Sequence, residues 1–300
     1  IPSYLGLLLD ISRRNLDRVL YFAQYVVTYV DDDSRQKALK RLEEKISTTE
    51  REQGTRINAR IAETKSARDR KLAEQSSMRL SVEQHYEELV ASRLEPIMQE
   101  GQHLERVIQE NLNKPARTAI IFSETGTEIV AAGETVTNQL ISQVQKIVRE
   151  RLDELDAELK DQKQRELEHL TMDTETTRAQ ADLQMEQLRN ELEDQSTIVR
   201  DENSRLRDEI MELRPLTFMG ETRFRELKSR WGQVFRADMG AEAFYDILKR
   251  LDLDKLAEEL WQELRTSKSK QKRKKATKRL KVVEAFRRSG NRPEWMVLTV

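Results

Sequence analysis

A mainly α fold is what this sequence predicts: a long antiparallel helical hairpin, a coiled coil with a small β-containing tip, on a compact and mostly helical base made from both chain ends. Three observations lead there. Charged residues are 36% of the 300 and aromatic residues 5%, so little bulky apolar material is available to bury, a balance that suits long helices. Two stretches of nearly equal length, 34–113 and 134–214, carry apolar residues at helical spacing. Between them lies a short segment of different character, RTAIIFSETGTEIVAAG (117–133). Equal helical arms joined by a turn module are what an antiparallel hairpin requires, because each arm covers the other's apolar stripe.

The opening segment, IPSYLGLLLDISRRNLDRVLYFAQYVV (1–27), is the most hydrophobic. Ser12 or Asp10 can cap a short helix through Leu16, Val19 and Leu20. Tyr21 to Val30 is β-branched and aromatic with alternation and reads as a strand. Asp31-Asp32-Asp33-Ser34 then makes a good helix start, by capping and by charge–dipole matching. The first arm includes Leu39, Leu42, Ile46, Ile57, Ile61, Leu72, Tyr86, Leu89, Leu94, Ile97, Leu104 and Ile108. Eleven-residue gaps, such as Ile46 to Ile57, predict a straight or slightly right-handed seam. Pro96 is expected to kink or break this arm, and Asn113 and Pro115 to end it.

The 114–133 segment reads as two short β runs around the turn Thr125-Gly126-Thr127. From Glu134 the second arm runs through Ile141, Val148, Leu155, Leu159, Leu188, Leu206 and Ile210, stopping at Pro215. An arm of this length would project about 100 Å at 1.5 Å per residue. The remainder holds all three Trp, at 231, 261 and 295, with short helices expected over 221–231, 241–251 and 255–266 and a basic helix over 270–289. The base module thus comprises 1–33 and 215–300, and the final apolar residues up to Val300 read as the start of a strand. The chain begins on Ile1 rather than Met, which fits a segment of a longer intracellular protein.

Catalytic chemistry finds little support. There is no Cys, which removes disulfides, thiolate chemistry and Cys-ligated zinc. The three His, at 85, 103 and 169, all lie in helical patterns. Glu100/His103 and Glu166/His169 have the Glu-x-x-His spacing of di-metal bundles, but the hairpin geometry sets the two segments roughly 37 Å apart, so no metal site is expected. Gly126 to Gly133 lacks the spacing of a phosphate-binding loop. The run Leu5 to Leu9 is too short to span a bilayer and lacks the flanks of a signal peptide.

The strongest signal is the basic segment KRKKATKRLKVVEAF (272–286). From Lys268 to Arg288 there are eleven basic residues and one acidic, although the net charge of the whole chain is −1. Any polyanion-binding surface is therefore local. Lys272, Arg273, Lys274, Lys275, Lys278, Arg279 and Lys281 form the candidate polyanion-facing surface of this helix, with Leu280, Val283 and Phe286 facing inward. Phosphate contacts from such a surface would be sequence-neutral and salt-dependent. The plain alternative is a solvated face.

FRADMGAEAFYDILKRLDLD (235–254), KRKKATKRLKVVEAF and SGNRPEWMVLTV (289–300), in that order, together with the opening segment, closely resemble the β′ (largest) subunit of bacterial DNA-directed RNA polymerase. The resemblance covers the two chain ends. It implies part of the clamp, between the zinc-binding region and the clamp helices, in a nucleotidyltransferase that synthesises RNA on a DNA template. Implied partners are DNA and the alpha, beta, omega and sigma subunits, in a bacterial cytoplasmic, nucleoid-associated setting with no membrane. The parent enzyme's magnesium and zinc are implied to lie outside this segment, which carries no catalytic residues and no cofactor.

The middle of the chain does not match the family's common core and reads as a lineage-specific coiled-coil insertion. Its role is either an interaction arm or a tolerated appendage, since surface insertions are entropically cheap. Ile120, Ile121, Phe122, Ile129 and Val130 are the candidate regulator-binding tip, and their plainer reading is the tip's own small core. A stand-alone coiled-coil scaffold, such as a chromosome-organising arm, is the alternative to the whole assignment. It would come with a nucleotide-binding head, and this sequence has none.

Overall fold

The structure, a computed structural model, describes residues 2–299. The chain falls into two compact units, one of residues 1–54 with 193–300 and the other of residues 55–192. Both boundaries fall inside long helices, α3 (Asp32–Glu110) and α4 (Gln139–Met211). The mainly α class is as expected.

The first unit opens with α1 (Pro2–Leu9), which the sequence reading did not anticipate. Proline suits a first helical position, and the helix stops in a Schellman-type turn: Asp10 adopts φ +55° and the Ile11 N–H donates to the Gly6 carbonyl at 3.1 Å. Ser12 caps α2 (Arg13–Tyr21), its hydroxyl accepting from the Asn15 N–H at 3.2 Å. The strand expected from Tyr21 begins later, as β1 (Tyr25–Val30). α2 runs one residue past Leu20, to Tyr21, and the left-handed Ala23 (φ +54°) then turns the chain, so the strand starts four residues later than expected. Asp31 caps α3: its carboxylate accepts from the Asp33 N–H and the Ser34 hydroxyl.

β1 is the middle strand of a three-stranded antiparallel sheet, between β4 (Phe218–Met219) and β5 (Phe235–Asp238). Neither partner strand was anticipated. β4 has only two residues and cannot display alternation; β5 alternates, with Phe235 and Ala237 buried and Arg236 and Asp238 exposed, but over only four residues, and both pair with β1. The sheet separates two cores. Val26 faces Leu5, Leu16, Phe244, Leu260 and Val283, while Val27 on the opposite face joins Ile210, Leu213, Trp231 and Phe235. α5 (Glu221–Trp231) and α8 (Lys270–Ser289) occupy the expected ranges, and α6 (Gly240–Lys249) and α7 (Leu253–Thr266) shift by one or two residues. The expected final strand is a 3-10 helix, Pro293–Thr299. Val297 and Glu294 are buried there, anchoring the turn against α6.

In the second unit α3 and α4 run antiparallel. Arg60 meets Glu191 at 3.4 Å, Gln75 Nε2 donates to Thr177 Oγ1 at 3.0 Å, and Arg79 Nη1 donates to Thr171 Oγ1 at 3.3 Å. α3 continues through Pro96, so of the expected kink or break the break does not occur. Proline there removes the donor to the Ser92 carbonyl, but Pro96 is exposed, where water can satisfy that oxygen. Its neighbours Ile97 and Leu104 are locked into the core. At the tip, β2 (Ile120–Phe122) and β3 (Thr127–Val130) pair across a turn in which Gly126 takes φ +69° and donates to the Phe122 carbonyl at 2.8 Å. α4 starts at Gln139, five residues after the expected Glu134. The intervening residues continue the tip instead, with Thr135 bridged to Pro115 and the Val136 N–H bonded to the Lys114 carbonyl.

Candidate nucleic-acid interface

α8 is set by its ends and by one apolar stripe. Ser269 caps it, the hydroxyl accepting from the Lys272 N–H at 3.4 Å. Gly290 ends it at φ +68°, donating to the Phe286 carbonyl at 3.1 Å, a left-handed position natural to glycine. Ala276, Leu280 and Val283, at spacings of four and three, are buried with Val282 against α7 and α1. Those anchors fix which charges face water.

The seven basic residues expected at this interface divide. Arg279 is turned inward, its side chain 12% exposed. Its Nε donates to the Leu7 carbonyl at 2.8 Å and Nη2 to the Leu8 carbonyl at 3.3 Å, closing the C-terminal end of α1, and Nη1 lies 3.5 Å from Asp10. Lys275 also pairs with Asp10. Both belong to the packing of α8 on α1. Lys272, Arg273, Lys274, Lys278 and Lys281 are exposed, with no acidic partner among the described residues. At 100° per residue Lys270, Lys274, Lys278, Lys281 and Arg288 fall on one stripe opposite the anchors, and all five are exposed. Lys270 and Arg288 were not among the expected residues. The signal that would have found them is the helical period counted from Ala276, Leu280 and Val283, whereas the charge run alone pointed to Arg279.

The charge placement is electrostatically costly for an isolated helix. The first turn of α8 has no acidic residue, and Lys270, Lys272, Arg273 and Lys274 crowd the end where the helix dipole is positive. Nearer the other end, Arg287 is held in its charged form, its pKa raised by Asp254 first and Glu284 second. Cations without partners at the positive end of a helix do little for folding, and they create a local field that attracts polyanions.

The tip residues also divide. Phe122 and Val130 are almost fully buried, and Ile120 and Ile129 nearly so, forming one core with Ile97, Leu104, Ile108 and Val144. Ile121 alone of the five is exposed, at 45%. Glu100 has a structural task there, its carboxylate accepting from the Ser123 N–H at 2.6 Å. Arg151 holds Glu124 at 3.2 Å. His169 lies beside Met78 and Val82 on the opposite helix, and among the described residues no three His, Asp or Glu side chains are grouped to hold a metal ion. No described helix is long and apolar enough to cross a membrane.

No protein-family profile matches the chain. Curated relatives do. The chain is 38% identical to the DNA-directed RNA polymerase subunit beta' of Chloroflexus aggregans, over all of this chain and 20% of that protein. It is 39% identical to the same subunit of Roseiflexus castenholzii, with the same coverage. With the subunit of Dehalococcoides mccartyi the identity is 27%, over all of this chain and 14% of the relative. The chain thus spans about a fifth of the length of the first two relatives, and in each the similarity runs through the helical hairpin as well as the chain ends.

Proposed function

We propose, since the chain belongs to the β′ subunits of DNA-directed RNA polymerase, of which it is a fragment, that it builds clamp structure beside the DNA path of that enzyme. The parent activity is DNA-templated RNA synthesis, a nucleotidyl transfer, with DNA and the other polymerase subunits as partners. The fragment's own share is structural and electrostatic. α8 lends positive potential through Lys270, Lys274, Lys278, Lys281 and Arg288, flanked by Lys272 and Arg273. The observation that carries this reading is the set of exposed cations running the length of α8, from Lys270 to Arg288, that have no acidic partner among the described residues. The contacts are made to phosphate, so they hold DNA without reading its sequence.

The helical hairpin is the interaction arm of the same proposal, with a regulator or another polymerase surface as its partner. Four of the five apolar tip residues are used up inside the tip, so docking there would rest on Ile121 and on the polar turn 123–127.

The test is a polymerase assembled with Lys270, Lys274, Lys278 and Lys281 all changed to Glu in β′. DNA binding is expected to weaken, and the slope of log K against log salt to fall by about three to four. An unchanged slope refutes the role given to α8.

A further inference from the structure

A second basic site lies on the far side of the sheet core, in the first unit. The first turns of α3 and the C-terminal end of α5 enclose a cavity of about 490 Å³, within the range of small-ligand sites. Lys37, Arg41 and Lys45 stand at i, i+4 and i+8 on one face of α3, and Lys228 and Arg230 come from the last turn of α5. Two of the five are already neutralised: Lys37 pairs with Asp33 at 2.7 Å and Arg230 with Glu209 at 2.6 Å. Arg41, Lys45 and Lys228 have no acidic partner among the described residues. The Lys228 ammonium stands over the Phe224 ring at 5.4 Å, which positions it without neutralising it. Arg41 acts on Lys37 as a like charge, opposing the rise in pKa that Asp33 causes. The wall also contains Trp231, nine-tenths buried, whose indole N–H has no hydrogen-bond partner among the described residues, a rare state for a buried donor.

We infer that this cavity is a binding site for phosphate groups. Three cations from two elements, without an acidic partner among the described residues, line one concavity, and together they suit an anion carrying more than one charge. A guanidinium beside two ammoniums suits phosphate oxygens, since Arg bonds them with paired donors and Lys contributes point charges. The cations are spread over two helices around a cavity of about 490 Å³, so the occupant carries several phosphates, as a phosphodiester strand or a free polyphosphate. The site deepens the nucleic-acid reading above but shares no residue with α8.

The experiment measures binding by the 300-residue chain of a labelled 20-base-pair DNA and, separately, of inorganic tripolyphosphate. The variants are Arg41→Gln/Lys45→Gln/Lys228→Gln and, for the helix, Lys274→Gln/Lys278→Gln/Lys281→Gln. The cavity variant is expected to lose at least tenfold in affinity for one or both probes, and the slope against log salt to fall by about two to three for DNA. Loss for DNA identifies a strand as the source, and loss for tripolyphosphate alone identifies a free polyphosphate. Wild-type affinity of the cavity variant for both probes overturns the inference. If the helix variant alone is impaired, the α8 reading stands without this site; if the cavity variant alone is impaired, the reverse holds. Single changes Lys45→Gln and Lys228→Gln, each checked for an unchanged helical circular dichroism signal, give graded losses if the site is real and none if a triple variant had merely unfolded.

Discussion

Gly101 on α3 lies so close to Val148 on α4 that a Cβ built on it would stand 3.0 Å from one Val148 methyl and 3.1 Å from the other. The two helices touch there through a glycine that has no conformational need to be one, since it sits in a regular helix. Gly101→Leu should therefore destabilise the tip half of the hairpin by about 1–3 kcal/mol through overpacking. Thermal unfolding checks this, and pairing with Val148→Ala should return part of the loss in a double-mutant cycle. Independent, additive losses would mean that the contact is not what matters.

Glu209 is the most deeply buried carboxylate to be ion-paired in the first unit, with a side chain 5% exposed between Arg230 at 2.6 Å and Arg223 at 3.3 Å. Arg230→Met removes the shorter partner and leaves the charge on Arg223 alone. The expected loss is about 1–3 kcal/mol, below the 3–5 kcal/mol of a fully orphaned buried charge. Chemical denaturation of the variant reads it. Glu209→Gln in the same background should recover stability, because the unpaired charge is then gone.

Acid should loosen the coiled coil at Glu50. Its carboxylate accepts from Arg200 at 2.7 Å and from the Ser196 hydroxyl at 3.1 Å. The Arg200 bond first, and Ser196 after it, hold its pKa below the ordinary 4.5 against the opposing effect of burial. A depressed folded-state pKa contributes stability above the unfolded value that is lost as pH falls through the folded one. Melting temperature measured from pH 6 down to pH 3 should fall less steeply in Glu50→Gln than in the natural sequence. Parallel acid limbs would show that Glu50 gains nothing from its partners.

Local chemistry made much of this fold readable. The caps at Ser12 and Asp31, the turn at Gly126, and the limits of α5 and α8 each rest on residues within a few positions of the event. Structure that depends on distant partners was not readable. β4 and β5 are strands because β1 lies between them, and Pro96 stays helical because Ile97 and Leu104 are held in a core the local sequence does not describe. The basic helix shows the same division. Its charge is obvious in sequence, but Arg279 turns inward to the C-terminal carbonyls of Leu7 and Leu8 and to Asp10, at the end of a helix missed in advance.

The sheet has a consequence for how the chain acquires its fold. Thr28 on β1 donates its hydroxyl to the Arg236 carbonyl on β5, 208 positions later. During synthesis β1 must wait, unpaired and apolar, until both long helices have been made. Loop closure over such a span is slow when the chain between is disordered. Helix formation shortens the search, since α3 and α4 zipped antiparallel return the chain to its start before β4 and β5 emerge. The hairpin can thus be read as a folding clamp in time: any lesion that delays its zipping prolongs the exposure of a bare strand edge, and aggregation of nascent chains, rather than loss of the finished structure, is the failure it guards against.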